Sequence, residues 1–255
     1  MTLAFPYSAQ LSSVKLVSTS YLILGFHRPA DFDFKAGQHV TLQLEDEAGV
    51  FQRTYSIASP PSSRTQLEFC IQVEGDTRSA TLLGQLKKGI WVKLSSARGD
   101  FLIPASPGKV LVFIAGGSGI SPLRSMIYDL LASPTDLPQI HLLYGCREAE
   151  AMPFLEELDK FSRQDKMING IFHPLFFAES FGSRTPVLSG TEASGKTIQV
   201  HPGRVTAGFE FEPKQLLSKS NHFYLCGPPS MVTSIESLLV DRGISPSHIV
   251  FERYG

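Results

Sequence analysis

Lys109-Val-Leu-Val-Phe-Ile-Ala-Gly-Gly-Ser-Gly-Ile-Ser-Pro122 is the stretch whose reading decides the fold. The run that ends at Ala115 is apolar without alternation, as a strand covered on both faces requires. Gly116-Gly-Ser-Gly119 follows, and Pro122–Leu131 then reads as a helix. A buried strand passing through a glycine turn into a helix opens a βαβ unit. Glycines in such a turn let backbone N–H groups approach a diphosphate, and the helix N-terminus favours its negative charge. The turn is not the Gly-x-Gly-x-x-Gly dinucleotide fingerprint, and alone it also suits a fold that binds nothing. Its place at the end of a first parallel strand, where open α/β sheets take ligands, favours binding.

Downstream, Ile140–Tyr144 reads as a strand and Met152–Phe161 as an amphipathic helix. His222–Leu225 leads into Cys226-Gly-Pro-Pro-Ser-Met231, a helix continues to about Arg242, and Ile249–Phe251 closes the series. Alternating strands and helices predict a parallel sheet. The turns at Gly116 and Cys226 would then form two lips of one crevice, although Pro228-Pro229 also suits an ordinary helix start. Residues 162–205 give no regular pattern.

Upstream the pattern is different. Val14–Leu24, Gln38–Leu44, Thr54–Ile57, Leu67–Val73 and Trp91–Leu94 read as strands, broken at short intervals by Gly37, Gly49, Pro60-Pro61, Gly75 and Gly89. Only Ser79–Lys87 looks helical. Short strands with regular turn signals predict a small antiparallel barrel or sandwich. The change falls at Pro104-Ala-Ser-Pro-Gly108, so the expected domains are 1–107 and 108–255. In the first, Arg53-Thr-Tyr-Ser56 places Arg53 and Tyr55 on one strand face and Thr54 and Ser56 on the other. An arginine can clamp phosphate and a tyrosine ring can stack on a planar heterocycle. Thr77-Arg78-Ser79-Ala80, opening the helix, is a second plausible phosphate seat or a plain hydroxyl cap.

Composition narrows the function. The 255 residues are 42% hydrophobic and 18% charged, the balance of a chain with a sizeable core. A net charge of −1 leaves no basic excess to hold a nucleic acid. Cys70, Cys146 and Cys226 lie far apart, which suits neither a disulfide framework nor an iron–sulfur cluster, and no metal site is expected. A reducing, cytoplasmic setting is expected, with no secretory signal at Met1-Thr-Leu-Ala-Phe-Pro6 and no membrane span.

Taken in order, Arg53-x-Tyr-Ser56, the Ser79 helix start, Gly116-Gly-Ser-Gly-Ile-Ser-Pro122, Tyr144-Gly145 with Arg147, Gly203-Arg-Val205, Cys226-Gly-Pro-Pro-x-Met231 and Glu252-x-Tyr254 resemble ferredoxin–NADP⁺ reductase and its flavoenzyme relatives. The resemblance covers nearly the whole chain. It implies an N-terminal antiparallel β-barrel that binds FAD and a C-terminal, Rossmann-like α/β domain that binds NAD(P)H. It further implies that Arg53 contacts a flavin phosphate, with Thr54 in the same motif. Tyr55 would pack on the isoalloxazine, Ser56 would lie near N5, and Thr77, Arg78, Ser79 and Ala80 would hold the diphosphate. Gly117, Ser118 and Gly119 would take the coenzyme, Ser118 standing where threonine is more usual. Cys226 and Glu252 would position the nicotinamide, and Tyr254 would cover the flavin and move aside for hydride transfer. Arg147, Arg204 and a Ser183-Arg184 pair would favour NADPH, although the segment from 185 to 202 is longer than usual.

The expected activity is hydride transfer between NADPH and FAD, with single electrons passing to or from a separate ferredoxin or flavodoxin. The alternatives are an NADH-dependent reductase component of an oxygenase and a binding module without catalysis. FMN in place of FAD stays open, because no adenine-stacking aromatic can be picked out.

Overall fold

The structure is a computed structural model that describes residues 3–73, 77–104, 107–132, 137–164, 171–181, 198–211 and 216–254. Two compact units divide the chain, Met1–Ile103 with Ser121–Ala132 and Pro104–Ile120 with Ser133–Gly255.

The first unit holds strands β1 (Tyr7–Leu16), β2 (Tyr21–His27), β3 (His39–Asp46), β4 (Gly49–Ser56), β5 (Gln66–Gln72) and β6 (Trp91–Leu94), with helix α1 (Thr77–Gln85) before β6. They form one antiparallel sheet in the order β4-β3-β6-β1-β2-β5. A register shift between Leu11 and Ser13 lets β1 pair with β6 over Tyr7–Gln10 and with β2 beyond it, bending the sheet around its core. Val40, Leu42 and Leu44 alternate inward along β3, as the period-two pattern requires. They join Leu11, Leu24, Phe26 and Phe69. The Phe26 and Phe69 rings meet edge to face at 5.8 Å, a pair contributing about 1 kcal/mol beyond its buried area.

One expected strand divides in two. Val14–Leu24 is broken at Val17–Ser20, where the Val17 N–H donates to Tyr21 O (3.0 Å) and the Ser20 N–H to Ser18 Oγ (3.0 Å). The serine hydroxyl offers the backbone a local partner in place of the ladder. β4 also begins earlier than the expected Thr54, because Asp46 pairs with Gly49 to close a hairpin with β3.

The second unit comprises β7 (Val110–Gly116), the start of α2 (Ile120–Leu131), β8 (Gln139–Glu148), α3 (Leu155–Gln164), β9 (Phe172–Ser180), β10 (Val200–Pro202), α4 (Gly208–Phe211), β11 (His222–Gly227), α5 (Pro229–Asp241) and β12 (Ile249–Arg253). Its sheet is parallel throughout, in the order β10-β9-β8-β7-β11-β12. From Ser121 onward α2 clusters with the first unit. The strand order reverses between β7 and β11, the switch point beside which such sheets take ligands. Val112, Ile114, Leu143, Phe223 and Leu225 form the core on one sheet face, with Val232 and Ile235 of α5 against them.

Candidate active site

β7 and β11 run side by side with Ala115 level with Cys226, and β12 brings Glu252 level with Cys226. Their C-terminal ends carry the two turns that the sequence singles out. Gly117–Gly119 forms a single 3-10 turn before α2. A Cβ on Gly119 would fall 2.2 Å from Cys226 O, so only glycine lets the two turns approach this closely.

Two tyrosine hydroxyls bond to the first turn. Tyr144, buried on β8, donates to Gly117 O at 3.2 Å, and the Cys146 thiol lies 3.7 Å from that hydroxyl. The Tyr254 hydroxyl donates to Gly116 O and accepts from the Gly119 N–H (3.2 Å), while its own N–H donates to Gly227 O (3.3 Å). Burial pushes the Tyr254 pKa up, so the phenol stays a donor. Tyr254 is thereby tied to the turn. An oxygen acceptor already sits on the Gly119 N–H, so the turn suits diphosphate oxygens. Cys226 is buried, and burial, reinforced by the Glu252 carboxylate, raises its thiol pKa well above the ordinary value. It is an uncharged thiol rather than a nucleophile.

Farther along the sheet, Arg147 lies near the end of β8, where its carbonyl accepts from Ser180 Oγ (3.1 Å). Arg204 follows β10 and meets Glu179, on β9, at 3.4 Å (Nε to Oε1). The Gly203 N–H donates to Ala178 O at 2.8 Å, which brings Arg204 back to the end of β9. The pair is solvent-exposed, so it contributes little to stability. Sequence reading passed over Glu179, whose only signal is a carboxylate after the apolar Leu175-Phe-Phe-Ala178. Ser183 and Arg184 lie outside the described residues.

In the first unit, β4 turns Phe51, Arg53 and Tyr55 to its half-buried face. Thr54 is exposed on the other face, its hydroxyl 3.0 Å from that of Thr41, and so does not join Arg53 and Tyr55. Ser56 ends the strand, opposite His39. The Arg53 guanidinium lies 5.4 Å from the centre of the Phe51 ring and that of Arg78 lies 4.1 Å from it. Arg78 is held by Asp46 through two hydrogen bonds of 2.7 Å (Nε to Oδ2, Nη2 to Oδ1) and donates to Gly49 O at 3.1 Å. Two cations beside one ring, next to Tyr55, suit a ligand that joins phosphate to a planar heterocycle. The backbone of Thr77, Ser79 and Ala80 forms the first turn of α1, and their side chains lie outside the described residues. Asp46 and Phe51 carried no motif.

Arg124 of α2 was also missed. Its guanidinium, 9% exposed, donates to Ala58 O (2.7 Å) and Glu68 Oε2 (3.0 Å) and so pins the segment that follows Ser56. Among the described residues no helix is long and apolar enough to cross a membrane, and no group of three or more His, Cys, Asp or Glu could hold a metal.

Two domain families match the chain. The oxidoreductase FAD-binding domain family matches residues 8–103 and the oxidoreductase NAD-binding domain family matches residues 113–237. Ferredoxin–NADP reductase B of Sorangium cellulosum is 30% identical, with 100% of each chain covered. The anthranilate 1,2-dioxygenase electron transfer component of Acinetobacter baylyi is 27% identical over 96% of this chain, which spans 66% of that protein's length. Among solved structures, a ferredoxin NADP⁺ reductase from Neisseria gonorrhoeae with bound FAD and NADP superposes with a TM-score of 0.78 at 22% identity, covering 97% of this chain and 98% of the other.

Proposed function

The chain belongs to the FAD- and NAD(P)-binding oxidoreductases of the ferredoxin–NADP reductase type, and from that premise we propose that it moves hydride between NADPH and FAD and single electrons between FAD and a separate ferredoxin or flavodoxin. The observation that carries this reading is the glycine turn at the β7–β11 switch point, with its Gly119 N–H already turned to an oxygen acceptor. FAD, when bound, supplies the redox chemistry, taking electrons in pairs and releasing them singly.

The chain's own residues bind, orient and exclude. In this proposal residues 1–107 serve the flavin and residues 108–255 the coenzyme. Arg53, Arg78 and the first turn of α1, Thr77 with Ser79 and Ala80, hold the flavin diphosphate. Tyr55 supports the ring system and Ser56 supplies a hydroxyl beside it. Gly117, Ser118 and Gly119 offer backbone N–H groups to the coenzyme diphosphate. Cys226, an uncharged thiol, and Glu252 line the nicotinamide seat. Tyr254 must release the Gly119 N–H before the coenzyme diphosphate can take it, which makes it a gate.

Arg147 and Arg204 are the cations proposed for the 2′-phosphate of NADPH, with Ser183 and Arg184 as further candidates. One observation favours a second reading, the NADH-dependent reductase component of an oxygenase. Glu179 pairs with Arg204 and stands at a strand end, where a carboxylate takes a ribose 2′-hydroxyl and repels a 2′-phosphate. Steady-state kinetics with both coenzymes decide between them. If Arg204 reads the phosphate, Arg204→Ala lowers kcat/KM for NADPH roughly tenfold or more and leaves NADH nearly unchanged. Equal effects on both contradict that role. A wild type that prefers NADH, moved toward NADPH by Glu179→Gln, supports the second reading.

A further inference from the structure

Arg78 and Arg53 both lie beside the Phe51 ring, at 4.1 and 5.4 Å. The two guanidiniums share this aromatic neighbour, and Arg78 has an anionic one besides, the Asp46 carboxylate. It accepts from Arg78 Nε and Nη2 at 2.7 Å each, and its Oδ1 also accepts from the Ala48 N–H at 2.9 Å. Arg78 holds that carboxylate below the usual carboxylate pKa range, so Asp46 stays ionised at any pH near neutral. The hairpin contributes one more bond, Arg78 Nη2 to Gly49 O at 3.1 Å.

These contacts fix the plane of one guanidinium. Asp46 and Gly49 take its Nε and Nη2, and the Phe51 ring backs its face. The Nη1 edge has none of these partners, and the Arg78 side chain is 40% exposed. A guanidinium fixed in this way binds an anion without first losing its rotamer freedom.

We propose that Asp46 and Phe51 are positioning residues for the flavin phosphate site, holding Arg78 in register with Arg53 so that the pair recognises the phosphate-bearing end of the flavin. The inference rests on the flavin reading above and adds to it which residues preorganise the seat. Both residues act through the arginines, so their contribution is confined to ligands that carry phosphate.

The test is a titration of the flavin-stripped protein with FAD, FMN and riboflavin, followed by flavin fluorescence, for the wild type, Asp46→Asn and Phe51→Leu. Asp46→Asn keeps the shape and removes the charge, and Phe51→Leu keeps the bulk and removes the ring face. Both variants are expected to weaken FAD about tenfold and to leave riboflavin within a factor of two. Weakening of FMN alongside FAD assigns the seat to the phosphate next to the ribityl chain, and weakening of FAD alone assigns it to the full diphosphate. Equal weakening of FAD and riboflavin overturns the proposal, because the residues would then only maintain the barrel. Tighter FAD binding by Asp46→Asn overturns it too, since Asp46 would then be a competitor for Arg78. A wild type that binds none of the three overturns the flavin reading itself.

Discussion

Tyr144 and Tyr254 each place a hydroxyl on the backbone of the Gly116–Gly119 turn, and the two bonds have opposite consequences. Tyr144 bonds a carbonyl and leaves the N–H groups of the turn to a ligand. Tyr254 takes the Gly119 N–H for itself. Tyr144→Phe therefore raises the KM for either coenzyme about fivefold, the loss of one hydrogen bond near 1 kcal/mol, while the flavin spectrum is unchanged. Tyr254→Phe should lower that KM by a similar factor, and initial rates against coenzyme concentration check both. Tyr254 was legible in the sequence because it closes Glu252-x-Tyr254. The Tyr144 contact was not, because it depends on how β8 lies against β7. Asp46 and Glu179 were hidden for a related reason: a lone carboxylate is chemically ambiguous until its arginine is seen.

At the scale of elements, apolar pattern and turn chemistry located most of the strands and helices, and tertiary pairing set their limits. β9 went unread because Pro174 interrupts it, and proline in an apolar run argues against a central strand. The strand tolerates Pro174 because β10 pairs only from Phe176 onward. α2 was expected to belong with the domain whose strand it follows. From Ser121 it clusters with residues of the first unit, through Arg124 on Ala58 O and Glu68 and Ser125 Oγ on Ser59 O (2.8 Å), while the NAD-binding domain match, residues 113–237, includes it. No sequence pattern marks the buried Arg124 of α2 as the partner of Glu68. Arg124→Ala leaves Glu68 without its partner and should cost about 3 kcal/mol of stability in urea unfolding of the whole chain. Arg124→Lys, which cannot make the same planar contacts, should recover only part of that loss.

On the scale of the whole molecule, two cores of different construction sit in one chain, an antiparallel barrel sheet and a fully parallel sheet. That division was readable because alternating and continuous apolar runs have different physical causes. The parallel sheet also carries a pH liability. His141 on β8 is buried and stacks on His173 of β9 at 5.0 Å. Burial, and then the nearby His173, push its pKa from 6.5 down to about 4. The unfolded chain therefore binds more protons between those values, and stability falls as pH drops through that window, by up to about 3 kcal/mol. Unfolding midpoints between pH 7 and pH 4 should show this slope, and His141→Gln should flatten it. As proposed, the protein is a flavoenzyme reduced by a nicotinamide coenzyme. An anaerobic visible spectrum of the purified protein, titrated separately with NADPH and NADH, tests it most directly. Flavin bands are expected to bleach on addition of coenzyme, faster with NADPH if Arg204 reads the 2′-phosphate and faster with NADH if Glu179 sets the choice. A protein that shows no flavin bands even after addition of FAD or FMN would contradict the proposal.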